Sequence, residues 1–190
     1  MLSSITPLGQ RGRGGSWLRT VVAFWVGAMF AGGAVFGLIG VVGTPLGIPG
    51  LNPWYSIAIL AVAGALDLRG VRPPSLHRQV DEDWLGKYRD WVTGFGFGLQ
   101  LGAGFATIIP TFGTWALLLV AMGAGVPAAM AIGIAFGVGR SLLLLSTREV
   151  RSPSVLAETM QKFIGAESRA RWASIAGYTV VILVIGVYVA

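Results

Sequence analysis

A few polar residues stand where an otherwise apolar sequence could do chemistry: Gln100, Thr107, Thr111, Thr114 and Arg140. Gln100 and the three threonines surround Pro110, whose ring interrupts a helix and frees backbone groups. They can satisfy those freed groups or line a hydrophilic pocket. Arg140 falls inside a long apolar run. A guanidinium at the centre of a bilayer costs about 2.5–3.5 kcal/mol on insertion scales. Two arrangements relieve that cost: Arg140 snorkels and forms an ion pair with Asp67, or it is a fixed charge lining a solute or partner site.

The remaining inventory excludes more than it offers. With no cysteine in the chain, disulfides, thiol catalysis, iron–sulfur clusters and thiolate metal sites are ruled out on this polypeptide. The single histidine, His77, shares i,i+4 spacing with Asp81, which could hold a metal. Its neighbours Arg78, Glu82 and Asp83 favour a solvated loop instead. No carboxylate falls mid-span, which argues against an intramembrane proton relay. There is no nucleotide-binding loop, zinc spacing or nucleophile–base set. No catalytic residue, metal or cofactor is expected, and the basic charge reflects orientation rather than nucleic-acid binding.

The elements that must position these residues follow from the charge pattern. The chain has 190 residues, 54% hydrophobic and only 12% charged, against about 25% charged in an average soluble domain. No Asp, Glu, Lys or Arg occurs in Thr20–Leu66, Trp91–Gly139 or Trp172–Ala190. Runs of that length reach or exceed the roughly 20 residues of a membrane span. The fold class is therefore an all-α integral membrane protein. The Gly43–Gly50 turn, with Pro45 and Pro49, divides the first run. The expected spans lie near 20–42, 52–68, 91–123, 126–146 and 172–190, as one domain over 17–190, with 1–16 a disordered basic N-terminus.

Positive charge sets the parity of the crossings. The 14 Lys and Arg residues gather before the first span, between Arg69 and Arg89, and between Arg148 and Arg171, with Arg140 apart. Basic loops stay on the cytoplasmic side, so an even number of crossings connects Asp90 to Thr147. One is Val126–Ser146; hence 91–123 makes one net crossing, as a helix broken near Pro110 with a short re-entrant second half. The expectation is five net crossings in the cytoplasmic membrane, N-terminus inside and C-terminus outside. Trp17, Trp54, Trp91 and Trp172 mark span starts at the headgroup layer. Gly94, Gly98 and Gly102, with Gly33/Gly37 and Gly133/Gly137, offer faces for close helix packing. Ser152-Pro153 opens an amphipathic segment whose Leu156, Met160, Phe163 and Ile164 face one side, as in an interfacial helix.

From Asn52 onward the layout resembles the cytochrome c biogenesis transmembrane family of the CcdA/DsbD type. The resemblance rests on Gly64-Ala65-Leu66-Asp67-Leu68-Arg69-Gly70 before a basic, proline-containing loop and on Gly94-Phe95-Gly96-Phe97-Gly98-Leu99. It continues through Thr107-Ile108-Ile109-Pro110, Phe136-Gly137-Val138-Gly139-Arg140, the amphipathic loop and the last helix. It implies a divergent member lacking the family's first helix and both redox cysteines, with Thr107 (or Gly104) at the second cysteine position. Thiol–disulfide exchange needs a thiolate, so the resemblance implies a non-enzymatic scaffold or partner subunit. The expected partners are the lipid bilayer and a cysteine-bearing redox protein or other membrane subunit, with self-association left open. The alternative is a small-solute or ion transporter built on the broken helix around Pro110.

Overall fold

The computed structural model describes residues 5–47, 52–74, 87–104, 109, 111–164 and 166–189. Thr107, Pro110, His77 and Asp81 lie outside the described residues. Every regular element among the described residues is helical: α1 (Pro7–Gly12), α2 (Trp17–Gly43), α3 (Pro53–Leu68), α4 (Asp90–Gly102), α5 (Gly113–Gly123), α6 (Val126–Ser141, continued as a 3-10 turn over Leu142–Thr147), α7 (Pro153–Ile164) and α8 (Ala166–Val189). Three stretches are long and apolar enough to cross a membrane, Trp17–Gly43, Val126–Thr147 and Ser168–Val187; Pro53–Leu68 and Gly113–Gly123 are shorter apolar helices.

Glycine, rather than bulky side chains, makes the centre of this bundle. A β-carbon added to Gly94, Gly98 or Gly102 would collide with the carbonyl oxygen of Thr20, Phe24 or Ala28 in turn, so α4 runs parallel to the first half of α2 with the backbones nearly touching. On another side of α2, Gly133 and Gly137 meet Gly32 and Ala28 in the same way, which makes α6 antiparallel. Small residues at four-residue spacing allow this approach, and the backbones pack in van der Waals contact. Phe24, Phe36 and Phe97 are buried beside the glycines, while other large apolar side chains of α2 face outward: Phe30 and Leu38 are each 66% exposed.

Helices α4 and α5 follow one another along α2. Gly102 meets α2 at Ala28, while a β-carbon on Gly43 at the far end of α2 would strike the carbonyl of Met122. Helix α4 therefore covers the first half of α2 and α5 the second, the one ending at Gly102 and the other beginning at Gly113. A second layer is added by α3, which packs on α5 and α8 through Leu60, Ala63 and Ala116, with Tyr178 and Ile182 beside them. Helix α7 begins at Pro153, Ser152 Oγ accepting from the Val155 N–H at 3.4 Å, and carries an exposed Glu158–Lys162 pair at 2.7 Å.

Residues 5–16 differ from the disordered tail expected of a basic, glycine-rich segment. Thr6 caps α1 by accepting from the Gly9 N–H at 3.0 Å, and Pro7 occupies the first helical turn, where it costs no hydrogen bond. The Leu8 N–H donates to the Val150 carbonyl at 3.1 Å and the Trp17 indole N–H to the Ile5 carbonyl at 3.2 Å. Ile5 is fully buried with Val21, Phe24, Phe97 and Leu144. One apolar side chain and a cap set the docking, both invisible to average composition.

Candidate functional site

The interruption between α4 and α5 gathers the candidate polar residues into two groups. The first centres on Asp67, in the last turn of α3 and only 1% exposed. Its carboxylate accepts from the Phe112 N–H at 3.0 Å and from the Tyr178 hydroxyl at 3.0 Å. Phe112 is the N-cap residue of α5 and has no side-chain cap of its own. Asp67 supplies that cap from another helix, setting a negative charge at the positive end of the α5 dipole. Beside it Thr111 is buried, and its hydroxyl accepts from Ser174 at 3.4 Å. The N-terminus of α5 is thus tied to α3 by Asp67 and to α8 by Ser174 and Tyr178.

The second group centres on Arg140. Its Nη1 donates to the Gly104 carbonyl at 3.2 Å, and the guanidinium lies 5.5 Å from the Phe136 ring centroid. Phe136 rests in turn against Phe36, centroids 5.3 Å apart. Gly104 turns with φ +80, and a β-carbon there would press on Phe136 and Thr114. The Gly104 carbonyl follows directly on the C-terminal end of α4, where a cation complements the dipole. Gln100 is half-buried one turn earlier on α4, and Thr114 is buried in the first turn of α5.

Asp67 and Arg140 are therefore not partners. Among the described residues the carboxylate is held by Phe112 and Tyr178, while the guanidinium goes to Gly104 and Phe136. The physical reason is the interruption itself. It creates two exposed helix ends of opposite sign, and each takes the complementary charge. Of the sequence candidates, Thr111 joins the Asp67 group and Thr114 the Gly104 surroundings. Ser174 and Tyr178 were missed. They are four residues apart on α8 and so share a face, and that spacing was the available signal.

The chemistry this allows is restricted. The Asp67 carboxylate is engaged by an N–H and a hydroxyl at a helix N-terminus, and the Arg140 guanidinium by a carbonyl and a ring. No grouping of three or more His, Cys, Asp or Glu residues with metal-site geometry occurs among the described residues.

No protein-family profile matches the chain, and no solved structure matches it. Two curated relatives are similar over most of its length. Methylamine utilization protein MauF from Paracoccus versutus is 29% identical over 151 residues, 74% of this chain and 55% of that protein. MauF from Paracoccus denitrificans is 29% identical over 201 aligned residues, 96% of this chain and 71% of that protein. The chain thus spans about half the length of the first relative and 71% of the second, and what it resembles is a protein named for methylamine utilization.

Proposed function

We propose that this chain is a multi-pass membrane protein acting as an accessory scaffold in methylamine utilization, and that it organises a partner rather than performing chemistry itself. The bilayer reading is supported by the three apolar helices of spanning length, the glycine-lined centre and the outward-facing large side chains. The paired halves α4 and α5 make one net crossing, giving five with the N-terminus on the basic, cytoplasmic side. The methylamine setting comes from the relatives' name. The scaffold role retains the sequence expectation that a cysteine-bearing redox protein supplies any thiol chemistry, since this chain has none.

One observation carries the choice of scaffold over carrier. In transporters with broken helices, the free half-helix ends are what bind the solute. Here Asp67 occupies the N-terminal end of α5 and Arg140 the C-terminal end of α4. Charges from the protein's own framework already complement both ends, so the break works as a joint between helices.

Deleting the gene in its host is expected to abolish or slow growth on methylamine, and an affinity-purified complex is expected to contain a cysteine-bearing membrane or exported protein. Normal growth on methylamine after deletion rejects the proposal. The transporter reading draws on the interruption of α4 and α5 itself. It requires solute flux in liposomes that Arg140→Ala or Gln100→Ala stops.

A further inference from the structure

A cavity of about 540 Å³ opens between the docked N-terminal segment and the loop that joins α6 to α7. Its volume is within the usual 300–1,000 Å³ of small-molecule sites. Backbone bonds fix its walls. The Leu8 N–H donates to the Val150 carbonyl and the Val150 N–H to the Thr147 carbonyl, both at 3.1 Å. Val150 is only 1% exposed. Trp17 lines the cavity from the start of α2, its indole N–H held by the Ile5 carbonyl at 3.2 Å.

Three arginines, Arg11, Arg148 and Arg151, line this cavity against one carboxylate, Glu149. Glu149 is already engaged by Arg148 at 3.3 Å. The side chains of Arg11 and Arg151 make no hydrogen bond or ion pair among the described residues. In this they differ from Arg19 and Lys162, which face Asp90 at 3.9 Å and Glu158 at 2.7 Å. The surplus of two positive charges is therefore carried by two groups that nothing in the described fold neutralises. Guanidinium groups lining one cavity repel each other, and an anion bound between them replaces that repulsion with attraction. Their planar N–H forks match phosphate oxygens in pairs.

We infer that this cavity binds a phosphate group, with Arg11 and Arg151 as its donors. Two sources share that chemistry, the headgroup of an anionic phospholipid and a soluble phosphate. The lipid arm rests on the membrane reading above. In that reading Trp17 lies at the headgroup layer, and basic pockets on the cytoplasmic side take anionic headgroups.

The test uses the purified full chain in detergent, titrated separately with short-chain phosphatidylglycerol, short-chain phosphatidylcholine and inorganic phosphate. Wild type is expected to prefer phosphatidylglycerol over phosphatidylcholine. Arg11→Ala with Arg151→Ala is expected to weaken binding about thirtyfold, the loss for two basic residues near a bilayer surface. Arg69→Ala with Arg72→Ala removes the same charge after α3, outside the cavity, and is expected to bind as wild type. An equal loss in both double variants reports only the general basic character of the protein and overturns the site. Binding of inorganic phosphate with the same variant dependence sustains the site and assigns it to a soluble ligand. Wild type that binds neither phosphatidylglycerol nor phosphate, or an Arg11/Arg151 double variant with undiminished binding, overturns the proposal. If that double variant melts early, Arg151→Ala alone reads the site instead. About fivefold weaker binding is expected for one basic residue, and unchanged binding overturns it. Resistance to alkaline extraction from membranes is scored separately, so an inserted protein without phosphate binding loses only this site.

Discussion

Replacing Asp67 tests the central structural claim, that the helix break is closed by a carboxylate from α3. Asp67→Ala removes the acceptor for two donors at once, the Phe112 N–H and the Tyr178 hydroxyl, each at 3.0 Å. A buried donor left unsatisfied costs about 1–3 kcal/mol, so the substitution is expected to destabilise the protein by about 2–6 kcal/mol. Asp67→Asn keeps one carbonyl oxygen and loses the charge at the α5 N-terminus; about half that cost is expected. Equilibrium unfolding in mixed micelles, followed by tryptophan fluorescence, measures both. A double-mutant cycle then separates the observed arrangement from the ion pair that sequence suggested. Asp67→Asn with Tyr178→Phe is expected to couple by about 0.5–3 kcal/mol, and Asp67→Asn with Arg140→Gln close to additively. An Asp67→Ala protein as stable as wild type, or a larger coupling to Arg140 than to Tyr178, refutes the reasoning.

Gly98→Val drives a branched side chain into the Phe24 carbonyl and is expected to cost about 1–3 kcal/mol or more; Gly139→Ala, with open space around it, should be neutral or stabilising in the same melts. Asp90 is held below its ordinary value of 3.8, mainly by the Ser16 N–H. A depressed carboxylate pKa gives stability that is present above the unfolded value and lost as pH falls through the folded one. Protection of residues 5–16 in hydrogen exchange is therefore expected to be full at pH 7 and to fall below about pH 4, and protection unchanged to pH 2 contradicts it. For topology, cysteines substituted at Thr44 and Val126 should react with impermeant reagents from outside and those at Ser75 and Ser154 should not; outside labelling of Ser75→Cys removes the five-crossing arrangement.

The sequence by itself determined the helices and their apolar nature, because those depend on local quantities. Uncharged runs report length, Pro127 reports a helix start, and the glycines at 94, 98 and 102 report which face can approach another backbone. The number of uncharged residues between Trp91 and Gly139 did not fit simple spans, and α4 and α5 are separate helices there. Tertiary structure alone decided what each polar group does there. Asp67 and Phe112 are 45 residues apart, and Asp67 and Tyr178 are 111 apart. No local pattern records such a meeting. An apparent match of opposite charges, Asp67 with Arg140, was the simplest pairing available from composition. The structure chose differently because a broken helix presents two dipole ends of opposite sign, and each charge is closer to an end than to the other charge. The N-terminal segment makes the same point. Its glycines and arginines read as a free tail, and only the apolar hollow beneath Ile5 and the carbonyl of Val150 made it part of the fold.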